Sequence, residues 1–104
     1  MDEFNINITE PAENDLRDIA KYISSQLNAP EAALNIIREI RKTLLNLKEN
    51  ALIYPYVRDD RLATLGYRSV TTKNYTSFYV IYEKENKVYI DRILYSRRDW
   101  KNII

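Results

Sequence analysis

Four residues, Asn28-Ala29-Pro30-Glu31, separate two apolar stripes of helical period, and this short link limits the possible folds more than any other feature. Before it, Ala12, Leu16, Ile19, Ala20, Ile23 and Leu27 recur at three- and four-residue spacing, the mark of a helix with one buried face. After it, Ala33, Ile37, Ile40, Leu44 and Leu47 keep the same rhythm until the pattern fades at Lys48-Glu49-Asn50. Helices joined so closely must turn back on each other, so the stretch from about residue 11 to about residue 48 is predicted to form an antiparallel hairpin. Thr9 and Glu10 before Pro11 suit a helix start with a hydroxyl cap and proline in the first turn. Glu13, Asp15 and Asp18 near that start favour the helix dipole.

The flanking segments have a different texture. Phe4, Ile6 and Ile8 alternate with polar residues, which predicts a strand with one buried face. Eight of the nine tyrosines lie from Tyr54 onward, and β-branched and aromatic residues there replace Ala and Leu. A loop through Pro55 to Asp60 is expected, then strands near 65–72, 76–83 and 87–95, with turns at Lys73-Asn74 and across Glu83 to Lys87. The fold class is therefore α+β. One strand is followed by an antiparallel helical hairpin and then a three-strand antiparallel meander that completes a small twisted sheet. The hairpin can bury its stripes only against one face of that sheet. At 104 residues, 1–104 are expected to make a single domain.

The stripe on the second helix is wider than one face requires, because Leu34, Ile36 and Leu45 fall beside it. A helix wedged between its partner helix and the sheet would need that width. An exposed apolar patch that receives a partner would need it too, and these three residues are the candidates for such contacts.

Several kinds of chemistry drop out. The chain has no cysteine and no histidine, so disulfides, thiol catalysis, a zinc site and a Ser–His–Asp triad are not expected. The single glycine, Gly66, excludes a Rossmann loop or a P-loop, since both need several glycines for close phosphate approach. No cofactor is implied. No apolar run approaches the ~18 residues that cross a bilayer, so a cytoplasmic location without a membrane partner is expected. Residues 1–56 carry six basic and nine acidic residues, and residues 57–104 carry ten and six. A basic second half suits an anionic partner, and ordinary surface variation of charge would give the same imbalance.

The densest chemistry lies from Val88 to Trp100, where a strand runs into Arg92, Arg97 and Arg98 with Tyr95 and Trp100 interleaved. Arginine forks bind phosphates and carboxylates at two points, and aromatic rings stack bases or pack arginines. Arg58, Arg61, Arg68 and Lys73 come from the preceding loop and strand, and an antiparallel sheet would gather them on one side. For Arg92 an ion pair, and for Trp100 a place in the core, are equally good readings. Arg97 and Arg98 are best read as binding residues.

Read in order, these segments resemble the RelE/ParE superfamily of toxins from type II toxin–antitoxin systems. The resemblance is carried by the opening strand, Ala12-Glu13-Asn14-Asp15-Leu16 with Ile19 and Tyr22-Ile23, and the helical hairpin. It continues through Gly66-Tyr67-Arg68, the segment from Asn74 to Tyr82, and Arg92-Ile93-Leu94-Tyr95-Ser96-Arg97-Arg98-Asp99. It implies growth arrest, plasmid stabilisation and neutralisation by a cognate antitoxin. RelE-like members cut messenger RNA on the ribosome, which would assign catalysis to Arg68 and Arg98. The next basic position of that set falls on Thr76, and the late tyrosine falls on Ile104. ParE-like members keep a longer hairpin, lack the nuclease set and poison DNA gyrase, and this chain is closer to them. The resemblance then implies gyrase contacts at Arg68, Lys73, Tyr95, Arg97, Arg98 and Trp100, and antitoxin contacts at Leu34, Ile36 and Leu45. The alternatives are a ribosome-dependent endoribonuclease, with ribosome and mRNA as partners, and a non-toxic co-regulator bound to the antitoxin.

Overall fold

Thr9 sits where the first strand ends and the first helix begins. In the computed structural model, which describes residues 3–104, its hydroxyl oxygen accepts from the Ala12 N–H at 3.3 Å and donates to the Ile90 carbonyl at 2.9 Å. The strand before it is β1 (Asn5–Ile8), and the helix after it is α1 (Glu10–Lys21), with Pro11 in the first turn. The tie to Ile90 reflects the position of β1, which lies parallel to the last strand, β4 (Lys87–Tyr95). Asn5 is opposite Lys87, and Ile8 is opposite Ile90.

The hairpin forms as its short link requires. The second helix, α2 (Pro30–Asn50), runs back along α1, so that Arg41 of α2 pairs with Glu13 of α1 at 3.0 Å. The end of α2 returns to the start of the chain, where the Phe4 N–H donates to the Lys48 carbonyl. After a short helix, α3 (Asp60–Thr64), come β2 (Tyr67–Thr72), β3 (Tyr75–Tyr82) and β4, giving the sheet order β1-β4-β3-β2. The meander is antiparallel, with a bulge where Phe78 and Tyr79 face Arg92 and Ile90. Its turns place Lys73 and Asn86 at positive φ, 55° and 57°; asparagine accepts that conformation readily, and lysine does so at some cost.

The hairpin covers one face of the sheet. Ile19, Ile40, Leu44 and Leu47 pack there against Tyr79, Val88, Ile90 and Ile93. Tyr79 is fully buried, and its hydroxyl donates to the Ala51 carbonyl at 2.7 Å, which ties the chain leaving α2 to the middle of the sheet. Burial pushes that phenol above its ordinary pKa.

The structure departs from expectation in three places. The first helix does not carry its stripe to Leu27; it passes into a π-helical turn, Tyr22–Gln26, in which the Leu27 N–H bonds to the Tyr22 carbonyl. A π turn holds more residues than an α turn, so Leu27 leaves the buried face and is 55% exposed. The segment after Pro55 ends in α3, capped by the Asp59 carboxylate, and β2 begins only at Tyr67, after Gly66 has turned the chain at φ 93°. The sheet's second face is also partly covered. Val57, Leu62, Phe78 and Leu94 form a smaller core there, closed by Trp100 and Ile103 of the terminal helix α4 (Trp100–Ile103) and by Ile104 just after it.

Candidate functional site

The end of β4 and the β2–β3 turn meet. The Ser96 N–H donates to the Asn74 carbonyl at 2.8 Å, and the Ser96 hydroxyl lies 2.7 Å from that of Thr76, which in turn lies 3.1 Å from that of Thr71. Lys73 and Arg97 each sit one residue from the backbone bond, so the turn's cation and those after β4 share one end of the sheet. Lys73, Tyr95, Arg97 and Arg98 are all exposed there. Tyr95 stands edge-on to Tyr75, with ring centres 6.0 Å apart. A second bond, from the Arg98 N–H to the Tyr95 carbonyl, tightens the chain after the strand. Four of the expected target-binding residues thus form one cluster of three cations and an aromatic ring.

Arg68 and Trp100 are elsewhere. The Arg68 guanidinium donates to the Tyr54 carbonyl at 2.5 Å and to the Leu52 carbonyl at 3.4 Å, and it lies 4.2 Å from the centre of the Tyr56 ring. Those contacts clamp the segment that follows α2 against β2. Arg68 lines a shallow pocket with Leu52, Tyr56 and Lys84, whereas Arg98 lines a groove on the far side with Asp18, Tyr22 and Tyr95; no residue lines both. Trp100 is half-buried against Phe78, with ring centres 5.2 Å apart. Arg92 is held by Asp15, with its Nε and Nη2 2.7 and 2.8 Å from the two carboxylate oxygens, and Asp15 also accepts from the Ile93 N–H at 2.9 Å. These bonds hold the guanidinium above its ordinary pKa.

The three residues beside the α2 stripe divide. Leu34 and Leu45 are 59% and 57% exposed. Eleven residues apart, they stand about three turns apart on one side of the helix, with Arg38 and Arg41 between them. Ile36 packs on the main core, so the exposed patch is narrower than the sequence suggests. Ile36 lies nearer the Ala33–Ile37–Ile40 face, which the sheet covers.

The apolar groove beside Arg98 was missed in the sequence. It encloses about 610 Å³, with Ile19, Tyr22 and Leu27 on one wall and Ile93, Leu94 and Tyr95 on the other. The sequence carried no signal for it, because Ile19, Ile23 and Leu27 stand four residues apart, as they would in an uninterrupted α-helix. Among the described residues no helix is long and apolar enough to cross a membrane, and no group of three or more acidic side chains is placed to hold a metal ion.

Against known proteins, residues 6–100 match the family model described as the ParE toxin of the type II toxin–antitoxin system parDE. Among solved structures, a chromosomal ParDE toxin–antitoxin system from P. aeruginosa superposes with a TM-score of 0.74 at 20% identity, over 89% of this chain and 96% of that one. The toxin–antitoxin complex RelBE2 of Mycobacterium tuberculosis gives 0.67 at 17% identity, over 89% and 98%. A mutant of the E. coli toxin RelE in the free state gives 0.65 at 12% identity, with both chains covered in full. At these identities the superpositions show a shared fold. None of the curated proteins matches the sequence.

Proposed function

This chain belongs to the ParE toxin family of type II toxin–antitoxin systems, and from that premise we propose that it arrests growth in the cytoplasm by binding DNA gyrase until a cognate antitoxin removes it. The toxin acts by holding a cleaved gyrase–DNA intermediate, which requires only a higher affinity for that state than for the others. It need not transform a substrate.

The observation that carries this reading is the separation of Arg68 from Arg98. Cutting RNA needs a group to take the 2′-hydroxyl proton, a group to protonate the leaving oxygen and positive charge on the phosphate between them, all within hydrogen-bond reach of one centre. Here the two arginines line different pockets. The Arg68 guanidinium is taken up by two carbonyls and a ring, and Thr76 offers only a hydroxyl tied to Thr71 and Ser96. Lys73, Tyr95, Arg97 and Arg98 stand together and exposed, which suits recognition of a large anionic surface. Leu34 and Leu45 with Arg38 and Arg41 suit an acidic amphipathic antitoxin helix. The test is purified toxin added to gyrase with supercoiled DNA, beside the same toxin added to programmed ribosomes. Trapped DNA breaks with intact transcripts support the reading, and cut transcripts without breaks replace it with the endoribonuclease.

A further inference from the structure

The β2–β3 turn carries its cation at a conformational cost. Lys73 is the first of the two residues between the paired Thr72 and Tyr75, and its φ is 55°. A two-residue turn with positive φ at that place takes glycine by preference, because a side chain there crowds the backbone. A charged residue at a strained position is a reason to look for what the charge does. The turn is also held firmly. The Ser96 N–H donates to the Asn74 carbonyl at 2.8 Å, the Ser96 hydroxyl lies 2.7 Å from that of Thr76, and the Arg98 N–H donates to the Tyr95 carbonyl at 2.9 Å. These bonds fix the backbone that carries Lys73, Arg97 and Arg98 before any partner arrives.

The two segments that meet here, 71–74 and 95–98, expose Thr71, Lys73, Asn74, Tyr95, Arg97 and Arg98. None of these is aliphatic and none is acidic. Among the described residues the ion pairs are Arg41–Glu13, Lys87–Glu85 and Arg92–Asp15, so the three cations at this end have no carboxylate partner. Asp99 follows Arg98 but accepts from the Asn102 side chain at 2.6 Å, and Asp18 lines the groove with Arg98 without pairing with it. A protein partner needs an apolar centre inside a polar rim. Cations, hydroxyls and an amide are instead the donor set that meets a phosphodiester backbone. Single strands are held by bases stacked on successive rings, whereas these segments expose one ring, Tyr95, which stands edge-on to Tyr75. Contact with phosphates alone suits a duplex.

We propose that Lys73, Arg97 and Arg98 grip the sugar–phosphate backbone of the DNA duplex that gyrase holds, without regard to its sequence. The inference rests on gyrase as the target, and it names the component of the gyrase–DNA complex that this end of the toxin meets. Contact with bound DNA strengthens the toxin's hold only while gyrase keeps that DNA in place, which gives the toxin a preference for that state.

The experiment measures binding of the full-length toxin to a fluorescently labelled DNA duplex over a range of salt, with trapping of cleaved duplex by gyrase assayed in parallel. Each phosphate neutralised adds ~0.9 to the slope of log affinity against log salt, so three contacts give a fall of about fortyfold between roughly 50 and 200 mM. Lys73→Gln, Arg97→Gln and Arg98→Gln should each reduce that fall to about twelvefold. Lys42→Gln, at an exposed position on α2, should leave it unchanged. A single-stranded RNA of the same sequence should bind more weakly than the duplex. No binding to the duplex at the low end of that range overturns the proposal, and so does tighter binding to the RNA. A wild type that traps cleaved DNA, with a duplex salt dependence that the three variants leave unchanged, assigns the cluster to the gyrase protein; the DNA contact then fails and the gyrase reading stands. The expected slopes in a toxin that traps no cleaved DNA would uphold the DNA-binding surface and reject the gyrase reading alone.

Discussion

Replacing Asp15 by alanine removes three contacts at once. The carboxylate holds two arms of Arg92 at 2.7 and 2.8 Å and the Ile93 N–H at 2.9 Å, and it joins α1 to the sheet at the point where β1 has ended. Breaking a buried ion pair from one side costs ~3–5 kcal/mol, mostly by leaving the other charge without a partner. The Arg92 side chain is 26% exposed, so water recovers part of that loss, and the lower end of the range applies. The orphaned Ile93 N–H adds ~1 kcal/mol. The expected loss is ~3–4 kcal/mol in a domain whose whole stability is ~5–15. At ~4–8 °C per kcal/mol for a chain of about this size, the melting temperature falls by roughly 12–32 °C. In urea the midpoint drops with little change in slope, because the surface exposed on unfolding is nearly the same. Arg92→Met restores part of the loss when combined with Asp15→Ala, since no charge is then left alone. An Asp15→Ala protein within ~1 kcal/mol of wild type would refute the view that this pair anchors α1 to β4.

Arg68→Ala should cost ~1.5–3 kcal/mol, the range for hydrogen bonds made by a charged group, and should loosen the segment from Leu52 to Tyr56; amide exchange there, compared with gyrase binding, separates this clamp from a target contact. Stability should fall as pH rises above about 10, because the Tyr67 phenol is pushed up to about 12 by burial and its bond to Asp91, so the folded state keeps a proton that the unfolded chain releases. Tyr67→Phe should flatten that decline without abolishing it, since burial raises Tyr79 as well, and urea melts between pH 9 and 12, a span set by the reference tyrosine value of ~10, would show it. Leu34→Asp with Leu45→Asp should weaken antitoxin binding by about tenfold or more at unchanged melting temperature, both side chains being more than half exposed, and calorimetry on the two complexes measures it.

The hairpin and the meander were legible in the sequence because both are written in local spacing. Ile19 and Ile40 fall on three- and four-residue rhythms, and Thr9 with Pro11 marks a helix start by short-range sterics and hydrogen bonding. The position of β1 was not legible. Its pairing with β4 joins residues more than 80 positions apart, and alternation in Phe4, Ile6 and Ile8 says only that one face is buried. The second face of the sheet escaped for another reason. The helices α3 and α4 are too short to show a period, so Leu62 and Ile103 carried no recognisable pattern. Of the candidate residues, the C-terminal cluster was readable as charge after a strand. The fate of Arg68 was not, because its partners are the carbonyls of Leu52 and Tyr54, and carbonyls have no sequence signature.

The central proposal is that an exposed arginine end, free of catalytic machinery, captures gyrase. Arg97→Ala with Arg98→Ala tests it most directly, in a gyrase cleavage assay on supercoiled DNA with programmed ribosomes alongside. Each arginine lost from a charge-assisted contact costs ~1.5–3 kcal/mol, so the account predicts that the double variant folds normally and traps about a hundredfold less cleaved DNA, with transcripts intact in every reaction. Ribosome-dependent transcript cutting by the wild type that disappears in Arg68→Ala, with no trapped gyrase complex, would contradict it.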